Sequence, residues 1–173
     1  IAIASDITAQ YNAGDQVAAA LRENEQLMDA INKHSIVSIT DHLGHITYAN
    51  DMFTTISGYT REELLGQDHR MVKSDRQPDV FWEAMWKVIS AGTTWRATVC
   101  NRAKSGTLYW VDTVIAPFFD EAGNINRYIS IRTDVTAART AQAALAYERE
   151  HLRAILEGTD AGTWEWEVPT EKL

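Results

Sequence analysis

The stretch Tyr48–Arg70, YANDMFTTISGYTREELLGQDHR, decides the fold of this chain because its signals for two short helices lie directly after a strand. Asp51–Ser57 is predicted to be a helix that ends at Gly58, since glycine tolerates the left-handed conformation that often follows a helix. Thr60–Glu63 has the Thr-x-x-Glu pattern of a capping box and predicts a second short helix, which ends before Gly66.

Strands flank these helices on both sides. Ile36–Thr40 and His45–Asn50 predict a hairpin around the turn Asp41–Gly44. Pro78–Ala91 predicts the longest internal helix, since a proline stands near its first turn and Gly92 follows its end. Three strands follow, at Thr94–Arg102, Leu108–Phe119 and Ile125–Asp134. This order describes an α+β domain with a five-stranded antiparallel sheet, whose helices cover one face and leave room for a pocket.

Composition and charge restrict the function. The 173 residues carry a net charge of −8 with no basic stripe, which disfavours binding to a nucleic-acid backbone. The sequence contains no run of about 18 apolar residues, so we expect no membrane contact. The single cysteine, Cys100, fits a reducing, cytoplasmic setting. The P-loop, G-x-G-x-x-G, H-E-x-x-H and G-x-S-x-G motifs are absent from the sequence, so we expect neither catalytic activity nor a metal site.

An internal repeat predicts a tandem arrangement of domains. The opening IAIASDIT closely resembles ISIRTDVT at Ile129–Thr136, and a helix-prone stretch follows each copy. We therefore expect residues 1–8 to be the last strand of a preceding domain and residues 9–33 to be a connecting helix. Residues 34–136 would form one complete domain, residues 137–157 a second connecting helix, and residues 158–173 the start of a following domain.

The two connecting helices share an apolar seam whose spacing of 4, 3, 4 and 3 recurs 124 positions later: Val17, Leu21, Asn24, Met28 and Ile31, then Ala141, Leu145, Glu148, Leu152 and Ile155. Apolar residues at this period form coiled coils, in which a central polar residue fixes the register. The seam either joins two copies of the chain or packs against the domain itself. We expect a homodimer that forms through the flanking helices, through a face of the sheet, or through both.

Several segments together resemble the PAS domain family: Tyr48–Arg70, Met85-Trp86, CNRAKSGTLYWV at Cys100–Val111, and YISIRTDVT at Tyr128–Thr136. The resemblance covers about Ser35–Thr136 and implies the PAS fold. GQDHRMV, the MW pair, a tryptophan before NR, and YWV are similar to a flavin-binding subgroup. That subgroup includes bacterial aerotaxis receptors, the redox regulator of nitrogen fixation and a methane-monooxygenase regulatory sensor kinase.

This subgroup resemblance implies a sensor that holds FAD, in preference to FMN, without a covalent bond. The flanking helices would relay the redox or light state of the flavin to neighbouring PAS domains and to an output domain of the same polypeptide. The alternatives are a ligand-free PAS dimerisation domain and a haem sensor with His69 as axial ligand. A thiol-adduct photoreceptor is not expected, because Cys100 lies on a strand and is predicted to face away from Asn101.

Asn101 is the strongest candidate for a flavin contact. On its strand it shares a face with Trp95, Ala97 and Val99, and a buried amide there needs hydrogen-bond partners from the flavin or from the core. Ser38 is a further candidate because it lies in mid-strand between Val37 and Ile39. The resemblance places seven more candidates near the cofactor: Asn50, Asp68, His69, Arg70, Trp86, Trp95 and Trp110.

Most of these candidates have a plain structural alternative. Asn50 either contacts the flavin or caps the helix after it, and Ser38 either donates to the ring or is an inward hydroxyl. Asp68, His69 and Arg70 either retain FAD, with Arg70 at the diphosphate, or form a solvated charge cluster. The tryptophans either stack on the ring or pack in the core.

Overall fold

The computed structural model describes residues 2–158, which form one long helix, a mixed α+β domain and a second long helix. The first half contains α1 (Ala2–His34), β1 (Ile36–Asp41), β2 (Ile46–Ala49), α2 (Asp51–Ser57), α3 (Arg61–Leu64), a 3₁₀ turn (His69–Val72) and α4 (Asp79–Ser90). The second half contains β3 (Trp95–Arg102), β4 (Leu108–Phe119), β5 (Ile125–Asp134) and α5 (Thr136–Gly158). No described helix is long and apolar enough to span a lipid bilayer.

The five strands form one antiparallel sheet in the order β2-β1-β5-β4-β3, which confirms the predicted fold class. Hairpins connect β1 to β2 and join β3, β4 and β5 in sequence. The central pairing of β1 with β5 is long-range: Ser38 lies opposite Ser130. This pairing places the first and last strands of the domain side by side at the centre of the sheet.

The helices pack on one face of this sheet. Phe53 of α2, Leu64 of α3 and Val72 of the 3₁₀ turn are buried against sheet residues such as Val99 and Val111. A smaller cluster joins the α4 residues Met85 and Ile89 to Tyr128 of β5. Both clusters therefore lie between the helices and one face of the sheet.

The predicted helix signals act as expected. Thr60 and Glu63 form the complete capping box, in which each side chain accepts from the other residue's backbone N–H. Gly58 ends α2 with φ +71° and donates its N–H to Thr54 O. The left-handed conformation at this position is costly for a residue with a Cβ, which explains why glycine stands there.

The N-terminal end of the described chain differs from the strand-to-helix pattern predicted at residue 8. α1 begins at Ala2, so Ala2–Thr8 are helical and do not form a strand. A strand needs a neighbour to pair its backbone groups, whereas a helix pairs them within the segment, and no strand is available to Ala2–Thr8 within the described sheet. The domain boundaries themselves stay predictions, and residues 159–173 lie outside the described residues.

The junction between β5 and α5 is attached to β4. Val135 N donates to Trp110 O at 2.9 Å, and Trp110 N donates to Thr136 Oγ1 at 2.9 Å. Asp134 Oδ1 accepts from the N–H of Thr136, the first residue of α5, at 2.9 Å. The closing Asp-Val-Thr sequence therefore connects the end of the sheet to the start of α5.

Candidate cofactor-binding site

A cavity of about 590 Å³ lies between the inner face of the sheet and α4. This volume is within the range of roughly 300–1,000 Å³ that is typical of small-molecule sites. The sheet supplies Trp95, Val99, Asn101, Thr113, Ile115, Tyr128, Ser130 and Arg132 to its lining, and α4 supplies Trp82, Met85, Trp86 and Ile89. Because strand side chains alternate between faces, β3, β4 and β5 each present every second residue to the cavity.

The segment that contains the 3₁₀ turn is attached to the β1–β2 hairpin at one edge of the sheet and to β3 at the other edge. His69 N donates to Gly44 O at 3.2 Å, and an isolated bridge joins Lys73 to Asn101. Asp68 caps the turn by accepting from Arg70 N at 2.8 Å. The turn is therefore held between the β1–β2 hairpin and β3, where His69 and Arg70 line the cavity.

A buried polar cluster lies at the inner end of the cavity. Arg132 Nη1 donates to Ser38 Oγ at 3.0 Å, and Arg132 Nη2 lies 2.8 Å from His69 Nε2. Arginine is only a donor, so His69 Nε2 must be the acceptor and the imidazole is neutral with its proton on Nδ1. The ring of Phe53 stacks on His69 at 5.5 Å and 10°, and the guanidinium lies 5.6 Å from the same phenyl centroid.

The charge of Arg132 has no carboxylate partner among the described residues. Its side chain is buried, and burial lowers the pKa of Arg132 to about 10, so the guanidinium stays charged at neutral pH. Burial, together with the charge of Arg132, lowers the pKa of His69 well below its ordinary value of 6.5. The inner end of the cavity is therefore positive, and hydrogen-bond acceptors on a ligand would be attracted to it.

Three buried polar groups of the lining have no hydrogen-bond partner among the described residues: Thr113 Oγ1, Ser130 Oγ and Trp82 Nε1. An unsatisfied buried donor or acceptor costs about 1–3 kcal/mol. A ligand with acceptors and donors on one edge would recover this cost, so the donor set of the lining fits a polar heterocycle.

Aromatic rings form the walls of the cavity. Trp86 meets Tyr128 edge to face with the two ring centroids 5.7 Å apart, and Trp95 meets Phe81 in the same way at 5.4 Å. A Cβ built on Gly44, which has φ +96°, would lie 3.1 Å from the indole of Trp86. The absence of a side chain at Gly44 therefore lets the indole lie against the β1–β2 turn.

Six of the nine predicted site residues line this cavity: Asp68, His69, Arg70, Trp86, Trp95 and Asn101. Ser38 lies one layer behind, bonded to Arg132 and within 3.3 Å of His69 Nε2. Asn50 and Trp110 are not among the lining residues.

The structure gives Asn50 the capping function that was its alternative. Its side chain accepts from Phe53 N, at the start of α2. Trp110 lies on the outer face of the sheet, because Thr113 and Ile115 of the same strand face the cavity and side chains alternate. Cys100 pairs with Trp110 across the same face, as predicted for a residue that faces away from Asn101.

Arg132, Ser130, Tyr128 and Thr113 line the cavity but were not found from the sequence. The signal was the alternation in YISIRTD, where Tyr128, Ser130 and Arg132 occupy one face and Ile129 and Ile131 the other. Period-two patterning normally places the isoleucines in the core. Here the polar set faces inward, because the inner face of the sheet surrounds a polar cavity.

Comparison with known proteins agrees with this architecture. The family model described as PAS domain matches residues 33–137. The aerotaxis receptor of Escherichia coli (strain K12) is 40% identical over 114 residues, which are 66% of this chain and 22% of the receptor. The nitrogen fixation regulatory protein of Klebsiella pneumoniae is 30% identical over 125 residues, 72% of this chain and 25% of that protein. The chain spans about a quarter of the length of these relatives.

Solved structures share the fold. A light-oxygen-voltage domain studied with a flavin analogue superimposes with a TM-score of 0.59 at 25% identity, over 73% of this chain and 96% of that domain. A PAS domain from Colwellia psychrerythraea superimposes with a TM-score of 0.55 at 24% identity, over 65% of this chain and 97% of its own. The family match covers every strand of the sheet and every helix that borders the cavity, and the chain therefore belongs to the PAS domain family.

Proposed function

We propose that this domain is a regulatory sensor that binds FAD non-covalently and relays its redox state through the flanking helices to an output domain of the same polypeptide. The observation that carries the proposal is the buried guanidinium of Arg132, which has no carboxylate partner among the described residues and lines a cavity beside the unsatisfied hydroxyls of Thr113 and Ser130. The pyrimidine edge of a flavin carries carbonyl acceptors and an N–H donor side by side. Such an edge would satisfy these groups.

The walls of the cavity suit a planar ring. Trp86 and Trp95 present large aromatic surfaces to it, and the α4 residues Met85 and Ile89 make the adjoining surface apolar. A flavin needs apolar contacts for its dimethylbenzene end and hydrogen bonds for the opposite end. The lining holds both kinds of group, the apolar side chains of Met85 and Ile89 and the polar side chains of Ser130 and Arg132.

Cationic residues near the opening favour a dinucleotide over FMN. Arg70 lines the cavity while its side chain is 74% exposed, so this part of the lining is open to solvent. Lys73 also lines the cavity and forms an ion pair with Asp79 of α4. A diphosphate that extends from the cavity would meet both cations, and Arg70 could bind it through charge-assisted hydrogen bonds.

The relatives support a sensory function in place of catalysis. Two of them are by name a receptor and a regulatory protein, and a structural neighbour was studied with a flavin analogue. We propose a reducing, cytoplasmic setting for the domain, in keeping with its single, buried cysteine.

Two rival sensor chemistries fit the site less well. Haem ligation through His69 would need a free imidazole nitrogen aimed at the iron, whereas His69 Nε2 is bonded to Arg132. A thiol adduct would need a cysteine beside the ring, and Cys100 faces away from the cavity-lining side of β3. A ligand-free PAS domain remains the alternative that experiment must separate.

The relay would run from the cavity through β5 into α5, which follows that strand directly. A change in hydrogen bonding at the edge of the ring would alter the contacts of Asn101 and Arg132. The amide of Asn101 can rotate, so that its NH2 donor takes the place of its carbonyl acceptor. β5 continues from Arg132 through Asp134 into α5. Arg132 therefore lies only two residues before Asp134, the last residue of β5 before the junction with α5.

A homodimer would complete the relay. Leu145 and Leu152 of the predicted seam are 58% and 54% exposed on α5, and Val17 and Leu21 are 60% and 59% exposed on α1. Exposed leucines spaced seven residues apart favour burial against the same helix of a second copy. We propose a parallel pair of chains in which these seams meet.

The absorption spectrum of the purified protein tests the proposal. Bound flavin absorbs blue light and gives a yellow protein, haem gives an intense Soret band, and a ligand-free domain is colourless. Extraction of the chromophore, followed by chromatography, separates FAD from FMN. A colourless protein that also fails to take up added FAD would overturn the proposed function.

A further inference from the structure

Asn50 joins four separate backbone positions through one buried side chain. Its Oδ1 accepts from Val37 N at 3.0 Å and from Phe53 N at 3.1 Å. Its Nδ2 donates to Asn32 O at 3.1 Å and to Ser35 O at 2.7 Å. An amide side chain has two donor hydrogens and two acceptor lone pairs, so every hydrogen bond that Asn50 can make is made. The end of α1, the start of β1 and the start of α2 are therefore bonded to one group.

Phe53, on the core-facing side of α2, contacts His69 and Arg132 of the polar cluster at the inner end of the cavity. Phe53 is 1% exposed, and its ring stacks on His69 while Arg132 lies over it. The backbone N–H of the same Phe53 is one of the four groups bonded to Asn50. A continuous path of direct contacts thus runs from the cavity lining, through Phe53, to Asn50 and the last turn of α1.

The saturation of Asn50 makes this path stiff. If a change at His69 or Arg132 displaced Phe53, the amide of Asn50 would have to follow or lose a bond. A lost bond at this 3% exposed side chain leaves a buried polar group unsatisfied, which is costly. A shift of α2 is therefore transmitted to Asn32 and Ser35, because their carbonyls are held by the other end of the same amide.

We propose that Asn50 is a positioning residue that couples the state of the cavity to the C-terminal end of α1, so that the N-terminal helix is a second output beside α5. This inference rests on the proposed function, because it takes FAD as the group whose state changes. Ser38 and Arg132 would report to β5 and α5, while Phe53 and Asn50 report to α1. The sensor would then act on both flanking helices from one buried cluster.

Hydrogen–deuterium exchange, followed by mass spectrometry, tests the coupling on the full chain loaded with FAD. Peptides that span the α1–β1 junction are compared between the oxidised protein and the protein reduced with dithionite. Asn50→Asp keeps the two acceptor contacts to Val37 N and Phe53 N but removes both donors to α1 and Ser35. We expect a redox-dependent difference in exchange at Asn32–Val37 in the wild-type protein, and its loss in Asn50→Asp.

Two more variants separate a specific path from general loosening. Phe53→Leu removes the stacking on His69 while it leaves a buried apolar side chain, and it should also abolish the difference. Tyr48→Phe removes the 3.3 Å bond from Tyr48 Oη to Asn32 Oδ1, which joins α1 to β2 without touching the cavity cluster. This control should keep the difference.

The outcomes are distinguishable. The absorption spectrum of each sample first shows whether FAD is bound, and a wild-type protein without flavin would overturn the proposed function and this inference with it. A flavin-loaded wild type with no redox-dependent change at Asn32–Val37 would overturn the coupling alone. A change that survives Asn50→Asp would show that α1 is reached by another route, which also contradicts the proposal.

Discussion

The guanidinium of Arg132 and the imidazole of His69 meet at 2.8 Å in the lining of the cavity, although the two residues are 63 positions apart in the sequence. The pair combines a permanent charge with a neutral acceptor. The remaining donors of Arg132 are left for a ligand, because no described carboxylate neutralises it. The first two predictions follow from this pair.

Arg132→Met should weaken FAD binding and stabilise the ligand-free protein. Hydrogen bonds to a charged group contribute about 1.5–3 kcal/mol, so we expect the dissociation constant to rise by at least about tenfold. Removal of a buried charge that no described carboxylate pairs should raise the melting temperature of the ligand-free form. Flavin titration and thermal unfolding measure the two effects.

Arg96→Met is the matched control for this change. Arg96 lies on the same sheet, is 70% exposed and pairs with Asp112, so its loss should alter neither quantity by much. Unchanged flavin affinity in Arg132→Met would show that the guanidinium does not contact the ligand.

His69 should make the ligand-free protein less stable in mild acid. Its folded-state pKa lies well below the ordinary 6.5, so the unfolded chain takes up a proton at a higher pH than the folded one. Stability should therefore be fully present above about pH 7.5 and fall as the pH drops below about 6.5. In His69→Gln, which keeps an acceptor for Arg132, the free energy of unfolding should depend less on pH in this window.

Chemical denaturation at several pH values between about 7.5 and 5 measures this slope. His45→Gln serves as the control, since His45 is exposed and lies outside the cluster. An identical pH dependence in His69→Gln and the wild type would mean that His69 is not a neutral acceptor for Arg132 in the folded protein.

Thr113→Val should stabilise the ligand-free protein and weaken flavin binding. The hydroxyl of Thr113 is buried and has no partner in the part of the chain that the structure describes, so its replacement by a methyl group of similar shape removes a cost of about 1–3 kcal/mol. Thr133→Val, on the exposed outer face of the adjacent strand, is the comparison. If Thr113→Val lowered the free energy of unfolding, the hydroxyl would have to be satisfied in the free protein.

Gly44→Ala should be more damaging than Gly106→Ala. The two glycines have similar φ angles, +96° and +90°, so each substitution carries the cost of a left-handed alanine, about 1–2 kcal/mol. Only at Gly44 does the new Cβ also meet the Trp86 indole, at 3.1 Å, whereas nothing lies within 4 Å at Gly106. The difference between the two melting temperatures measures the Trp86 contact, and equal losses would refute it.

Leu145→Glu should dissociate the proposed homodimer. A charged residue within the seam is desolvated on association, whereas Tyr147→Glu lies outside the seam at a 73% exposed position and should have little effect. Sedimentation velocity compares the two variants with the wild type. If the wild type were already monomeric at high concentration, the seam would have another partner.

The sequence by itself determined the elements of the fold. The strand and helix bounds predicted between Ile36 and Asp134 agree closely with the structure, because the signals there are local: a capping box at Thr60–Glu63, Gly58 in the left-handed region, and period-two strands. The faces of β3 were also predictable, since alternation alone places Asn101 with Trp95. The terminal segment was not, because whether Ala2–Thr8 pair as a strand depends on a neighbour that local sequence does not specify.

Only the tertiary structure decided how the site is assembled. The chemistry of the cavity depends on the pairing of β1 with β5, which brings Ser38 to Arg132 across 94 positions and brings His69 to both. No local pattern encodes that pairing, so the alternation in YISIRTD could not show that the face with Arg132, and not the face with the isoleucines, lines the cavity. For the same reason, Asn50 and Trp110 could not be separated from the true lining residues. Local hydrogen bonds and side-chain periodicity set the elements, whereas long-range packing chose which polar groups were buried together and left without a partner.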